Sequence, residues 1–391
     1  MNKAVTKNST FFLILVTYLA FISLGLPDGL LGIAWPFMSS RLHMPVESLG
    51  VLLVSFTMGY LATSSTSGKI IKFISLGLLL TISCMLTGLS LLTYAFAQSW
   101  YLIIVATFFL GSGGGAIDSS INTFAASRFS ASTLNWLHAF YGVGATTGPL
   151  LITLMLACKL HWYHAYLIVA GIQLSLSVLF LFTYKNWNVS GDEETEQPPS
   201  DYLETLKLPI VWINILIFFL YTGIEQGFGQ WIFTILTQSR NIPEEQAGLL
   251  ASAYWGSLTV GRIIFGIVLT TIPVNRVLQG ALIGIVAGTT LVMINAADFI
   301  SLLGVVILGI SNAPVFPSLI SITPASIGKQ HATTAIGVQI SMAMVGASVL
   351  PGLAGLLAET YGLEIIPTFF TVAAILLFFL YFFVTGKPRK M

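Results

Sequence analysis

The sequence is poor in charge. Of its 391 residues only 8% are Asp, Glu, Lys or Arg and 55% are hydrophobic, whereas a soluble globular domain carries about 25% charged residues. So few charges cannot cover a water-facing surface, which excludes an ordinary soluble enzyme and makes lipid the expected solvent. Cysteine is scarce too. Cys84 lies mid-run and Cys158 at the end of another apolar run, so the two are expected at different depths and without a disulfide, and cysteine usage leaves the redox compartment open. A phosphate loop of the G-x-x-x-x-G-K-[ST] type is missing, and "GSGGG" at 111–115 has neither the lysine nor a preceding strand. A nucleotide-driven pump is therefore not expected. His161 and His164 in "CKLHWYH" are three apart, but with no ligand cluster beside them they read as part of an aromatic membrane interface, not a metal site. No metal, no cofactor and no nucleic-acid partner is expected; the net charge of +1 itself says little about partners.

What the sequence does have is long apolar runs. A spanning helix needs about 20 mostly apolar residues. Such runs lie near 11–36, 47–67, 73–95, 101–123, 134–157 and 165–184, then near 208–237, 246–270, 277–295, 299–322, 333–357 and 365–385. The expectation is an all-α membrane protein of twelve transmembrane helices in two six-helix bundles, 1–184 and 208–391, joined by a linker over 185–207. The first run is too long and too uninterrupted for a removed signal peptide and is kept as a helix. The linker holds six of the fifteen acids, Asp192, Glu193, Glu194, Glu196, Asp201 and Glu204. It reads as a solvated connection, with a phosphorylated or partner-binding loop as the alternative.

Basic residues set the orientation, because cytoplasmic loops retain them. If the chain starts inside, one side holds thirteen: Lys3, Lys7, Lys69, Lys72, Arg128, Lys185, Lys207, Arg262, Arg276, Lys329, Lys387, Arg389 and Lys390. The other side holds Arg41, Lys159 and Arg240. Both termini are thus expected in the cytoplasm, with the protein in the inner membrane of the cell and monomeric.

The halves repeat each other. "GLPDG" at 25–29 matches "GIEQG" at 223–227, Glu47 and Gly50 match Glu245 and Gly248, and "LG" at 110–111 matches "LG" at 308–309, all at an offset of 198 residues. "GATTGP" at 144–149 matches "GASVLP" at 346–351 at an offset of 202. Parallel repeats of this kind build many secondary transporters, whose substrate sites lie near the bilayer midplane.

Candidate residues follow from polarity out of place. Asp118 sits in "GSGGGAIDSSINTFAA" at 111–126, and an ionised acid at the bilayer centre costs about 2.5–3.5 kcal/mol. Gly111, Gly115, Asp118 and Asn122 fall on one helical stripe, which is therefore expected to face a polar cavity or a partner rather than lipid. Desolvation favours the neutral form of a carboxylic acid, so Asp118 suits proton uptake and release; the competing reading is a packing bond to Asn122 and nearby serines. Asp28 in "LGLPDGLLG" follows Pro27, where a local kink lining a cavity is expected. In the seventh run Gln226 and Gln230 share a face flanked by Glu225 and Trp231, a set of amides and an aromatic plane suited to a polyhydroxylated ligand. Glu225 reads equally as an interhelical brace. Tyr254, Trp255, Asn312 and Gln339 are further candidates, as are His138 and Tyr141, with His138 either in a proton relay or structural. Arg262 is expected to snorkel to the cytoplasmic face or to cap carbonyls, with a gating role open.

The motifs "GSGGGAIDSSIN", "LHAFYGVGATTGP", "YTGIEQGFGQW" and "VGRIIFG" resemble those of the major facilitator superfamily, in particular its fucose, galactose and glucose:proton symporter branch. The resemblance spans essentially the whole chain. It implies that Asp28 and Asp118 serve proton coupling and sugar recognition, and that the solute is a hexose-type sugar carried by proton symport. The superfamily's loop motif after the second helix is decayed here to "SGKIIKFISLG" at 67–77. Two rivals remain: a proton-driven exporter, because "GATTGP" partly resembles the antiporter motif although Leu151 and Ile152 replace its glycines, and a non-transporting sensor, which the short tails disfavour.

Overall fold

The computed structural model describes residues 7–187, 202–295 and 298–385. Most of the expected linker lies outside these residues, including Asp192, Glu193, Glu194, Glu196 and Asp201, as do the terminal Lys3, Lys387, Arg389 and Lys390. Among the described residues there is no strand, and twelve helices are long and apolar enough to cross a membrane. In chain order they are α1 (Lys7–Leu42), α2 (Leu49–Ser64), α3 (Leu76–Phe96), α4 (Trp100–Arg128), α5 (Ala131–Ala157) and α6 (Tyr163–Thr183). Then follow α7 (Pro209–Thr234), α8 (Glu244–Val268), α9 (Val274–Ile294), the two pieces α10a (Asp298–Asn312) and α10b (Val315–Ile327), α11 (Lys329–Tyr361) and α12 (Ile365–Thr385).

The helices overrun the apolar stretches because a helix ends where its backbone is turned, not where its hydrophobicity stops. Left-handed residues sit just past the C-terminal ends of α1, α5 and α9 (His43, Lys159, Asn295), past the π turn that follows α7 (Asn241), and, as Gly362, past α11. That conformation supplies a helix stop. Beside Asp28 the helix is not interrupted: α1 runs on through both Pro27 and Pro36. The interruption falls instead in the tenth span, where Pro314 offers no N–H to continue α10a.

The chain divides into two compact units, Met1–Met44 with Ser55–Asp192, and Pro45–Val54 with Glu193–Met391. The start of α2 thus belongs by its packing to the second unit. Within the first unit α1 lies along α5, and α3 along α4 and α6; within the second, α7 lies along α11, and α9 along α10a and α12. The same plan therefore occurs twice.

Glycine makes the closest of these contacts. A Cβ on Gly25 would collide with the Tyr141 carbonyl, and one on Gly144 with the Ile22 carbonyl, so α1 and α5 touch backbone to backbone. In the second unit Gly346 meets the Phe219 carbonyl and Gly223 the Gly346 carbonyl across α7 and α11. Likewise Gly111 meets the Phe56 carbonyl between α4 and α2, while its repeat mate Gly309 meets the Tyr254 carbonyl between α10a and α8. Lipid tails are as apolar as leucine, so close backbone packing of small residues is what favours one helix pair over another.

A second repeated device uses arginine. At the end of α1, Arg41 donates through Nη1 to Ala95 O (2.8 Å) and through Nη2 to Phe96 O (3.2 Å), the last carbonyls of α3. Just past α7, Arg240 donates through Nη2 to Val292 O (2.9 Å) in the last turn of α9, and through Nη1 to Ser301 Oγ (3.1 Å) on α10a. Arg240 also grips Glu364 through Nε (2.9 Å) and Nη2 (2.8 Å). Each guanidinium thus closes the negative end of the third helix of its unit. Ahead of α12, the Arg240 hydrogen bonds hold the Glu364 carboxyl below its ordinary value, against the opposing effect of burial.

Two measurements follow. Gly144→Ala and Gly346→Ala should each cost about 1–3 kcal/mol by overpacking, whereas Gly171→Ala, with nothing within 4 Å, should be neutral or stabilising in thermal unfolding in detergent. Because the folded-state value of Glu364 is depressed, its contribution is present above the ordinary carboxylate pKa and is lost as pH falls through the lowered one. Glu364→Gln should therefore cost under about 1 kcal/mol at neutral pH, since the carboxylate is 44% exposed. Wild type and variant should converge once pH has fallen below that lowered value. Arg240→Ala should cost more, about 1–2 kcal/mol, because it also strips a donor from the Val292 carbonyl.

Candidate functional site

In the first unit the glycine seams fix where the acids meet their partners. Seating Gly25 on the Tyr141 carbonyl leaves the Tyr141 side chain beside Asp28, one turn further along α1, and its hydroxyl donates to Asp28 Oδ2. Across the other seam, a Cβ on Gly115 would collide with the Tyr60 carbonyl. One turn on, the Tyr60 hydroxyl donates to Asp118 Oδ2 at 2.5 Å. Asn122 Nδ2 donates to Asp118 Oδ1 and to the Asp118 carbonyl, both at 2.9 Å. The stripe Gly111, Gly115, Asp118, Asn122 therefore faces α2 with its glycines and polar partners with its far end. Asp28, Tyr60, Asp118, Asn122 and Tyr141 are half-buried and His138 is exposed. His138 packs edge-on to Phe21 (5.8 Å) and lies within electrostatic reach of Asp118, as Asp28 does. Five residues from four helices thus form one polar group, with His138 beside it.

The second unit holds a different arrangement at the corresponding seams. Glu225 is buried, accepts from the Tyr221 hydroxyl through Oε2, and stands 3.6 Å from Arg262 Nη2 through Oε1. Tyr221 also reaches Asn312 O (3.0 Å), the Tyr254 hydroxyl donates to Glu225 O (2.7 Å), and Asn312 Nδ2 donates to the Tyr254 hydroxyl (3.1 Å). This network ties α7 and α8 to the break in α10. Of the two readings of Glu225, it favours a brace within this unit. It also corrects the reading of Arg262, which turns to a buried carboxylate on α7 instead of snorkelling away; a buried charge without its counter-ion is costly.

The remaining candidates divide. Gln226 is half-buried and Gln230 buried on the same face of α7. Trp255 lies against Gly229 on that helix, with its indole N–H lacking a hydrogen-bond partner among the described residues. Asn312 Oδ1 and Gln339 Nε2 also lack one, although Gln339 Oε1 accepts from Thr323 (3.1 Å). Trp231 is fully buried and spends its N–H on Pro351 O (2.9 Å), so its indole braces α7 against α11. His161 and His164 stack at 6.2 Å, and no group of three or more metal-ligating side chains occurs among the described residues. Cys84 is buried and Cys158 exposed, both free.

Sequence reasoning did not single out Tyr60 or Tyr221. Tyr221 had a signal, its i, i+4 spacing to Glu225. Tyr60 had none, because only the α2–α4 seam brings it to Asp118.

The profile of the Major Facilitator Superfamily matches residues 16–337 and 232–391. The chain belongs to the Major Facilitator Superfamily. As a member it is an integral membrane protein of the transporter class. It is 26% identical over 359 residues to the glucose/mannose transporter GlcP of Bacillus subtilis, covering 86% of each chain. It is 23% identical over 389 residues to the human sodium-dependent glucose transporter 1, covering 88% of this chain and 73% of that one. A crystal structure of a mutant of the nucleoside transporter NupG superposes with a TM-score of 0.82 at 15% identity, covering 95% of this chain and 99% of that one, a likeness of fold. The superfamily's twelve-helix transporter architecture is thus the frame on which the two polar groups sit.

The Glu225–Arg262 pair gives a test of its own. Arg262→Met should destabilise strongly by leaving Glu225 uncompensated, toward the lower end of the roughly 3–5 kcal/mol of a fully buried pair because Arg262 is 26% exposed. Adding Glu225→Gln should recover most of that loss in a double-mutant cycle of melting temperatures.

Proposed function

We propose that the protein is a secondary active transporter that carries a hexose-type sugar across the inner membrane together with a proton, by alternating access. On this reading residues 1–184 and 208–391 are the two bundles, both termini lie in the cytoplasm, and the carrier works as a monomer. The observation that carries the reading is the pair of intramembrane carboxylates, Asp28 and Asp118, each receiving a phenol hydroxyl from a neighbouring helix. Acids in a span mark ion and substrate pathways. The glucose and mannose transport for which the Bacillus relative is named supports a sugar, as do the amides Gln226 and Gln230 and the unpartnered polar atoms of Trp255, Asn312 and Gln339, a mixture of donors and acceptors suited to a polyol.

Sodium coupling is a second reading, favoured by the name of the human relative. A sodium ion takes oxygen ligands alone. Asp118 meets a phenol hydroxyl and an amide N–H, partners that suit a carboxyl in either protonation state, so the proton reading is kept first and sodium dependence of uptake decides between the two.

Counterflow in proteoliposomes against a panel of hexoses and lipophilic cations tests the solute. Asp118→Asn should abolish pH-driven uphill uptake while sparing exchange of labelled for unlabelled sugar, because exchange moves no net proton. In a symporter, sugar binding in detergent should be retained at acidic pH and weaken as pH rises and the acids ionise; reciprocity of binding requires the sugar to favour protonation in turn. Binding that strengthens with rising pH, above all for a cationic lipophile, would overturn symport and establish the exporter.

A further inference from the structure

The Tyr60 phenol occupies a place that the proton-coupling reading does not by itself require. Its backbone is locked on α4, since a Cβ at Gly115 would strike its carbonyl, and a Cβ at Gly59, the residue before it, would strike the carbonyl of Phe108. Thr63, one turn on, adds a bond from Oγ1 to Ser112 O at 2.6 Å. With α2 held this firmly, the phenol has little freedom, and its hydroxyl meets Asp118 Oδ2 at 2.5 Å while Asn122 meets Oδ1 at 2.9 Å. Asp28 also lies within electrostatic reach of Tyr60. The groups facing Asp118 are therefore Tyr60 from α2, Asn122 from α4, His138 from α5 and Asp28 from α1.

From this geometry we propose that Tyr60 is a positioning residue that sets the proton affinity of Asp118. The inference rests on the proton-symport reading. A phenol has one hydrogen to give. While Asp118 is ionised, both carboxylate oxygens accept, one from Tyr60 and one from Asn122, and the arrangement is satisfied. When Asp118 takes a proton from hydronium, releasing water, one of its oxygens becomes a donor and the other becomes the weaker acceptor of a neutral acid. With the proton on Oδ2 the phenol must accept and turn its own hydrogen away; with the proton on Oδ1 it still donates, but to an uncharged oxygen. Protonation is thereby opposed by a bond made in full only to the charged form, and it is registered on α2, a helix that carries neither acid.

Tyr60→Phe removes the donor and keeps the ring. The pH at half-maximal sugar uptake should move up by about one unit, the size expected for losing a hydrogen bond to a charged group, while counterflow at saturating sugar stays near wild type. A fluorinated tyrosine at position 60, a stronger donor of nearly the same shape, should move the midpoint down, and it carries the test if the Phe variant does not fold. Midpoints that superimpose on wild type in either variant overturn the role of Tyr60. A wild-type protein whose uptake ignores pH overturns the symport reading instead, so the two failures are distinct.

Discussion

Inside hydrocarbon a polar group has no water to return to, and this one constraint organises the molecule. Backbone groups are satisfied by helices, and most hydroxyls satisfy themselves on their own helix: Thr17 on Leu13 O, Thr81 on Gly77 O, Ser83 on Leu79 O, Thr107 on Ile103 O. Such bonds cost nothing in helix arrangement and specify nothing. The informative ones leave their helix, as when Gln173 donates to Ser23 O (2.8 Å) and Ser177 to Thr81 O (2.8 Å). Asp28, Asp118 and Glu225 each receive a tyrosine hydroxyl, Asp28 and Asp118 from a neighbouring helix and Glu225 from Tyr221 one turn back on its own.

The repeat supplies a common skeleton and leaves the chemistry free. Glycine seams recur between α1 and α5 and between α7 and α11, and arginines close α3 and α9 from the ends of α1 and α7. On that skeleton the first unit holds acids on phenols, the second an acid on an arginine. The position matching Asp28 at the shared offset is Gln226, an amide that donates and accepts but does not titrate. A duplicated frame thus carries acids at one set of positions and amides at the other without two different folds.

How much of this was legible depended on range. The twelve spans could be read because hydrophobicity is a property of each segment alone, and the repeat because glycine at a seam permits no substitute and so marks both halves. Asp28 and Asp118 were conspicuous as charges in apolar runs. Arg41 and Arg240 were counted only as loop cations on the poorer side, since nothing local says that a guanidinium will reach the end of a helix some fifty residues away. Arg262 misled for the same reason: its place near the end of a run suggests a route to water, and its carboxylate partner belongs to another helix. Trp231 looked like an open aromatic plane until α11 was laid over it.

The break in α10 shows how the same constraint turns an apparent defect into a fixed point. Pro314 withholds the N–H that the Ile310 carbonyl would receive in a continuous helix, and Ala313 N covers that carbonyl only at 3.3 Å in a tighter turn. The Asn312 carbonyl lies 3.0 Å from the Tyr221 hydroxyl of α7, whose one hydrogen it shares with Glu225. Asn312 in turn spends its amide on Tyr254 of α8, whose hydroxyl goes to the backbone of Glu225. Each member of this chain satisfies a group that the break or the buried acid would otherwise strand. Tyr221 thus touches both the buried acid and the α10 break. The polar side chains that look like decoration on apolar helices are what make an interrupted span tolerable, and they place that interruption beside the Glu225–Arg262 ion pair between α7 and α8.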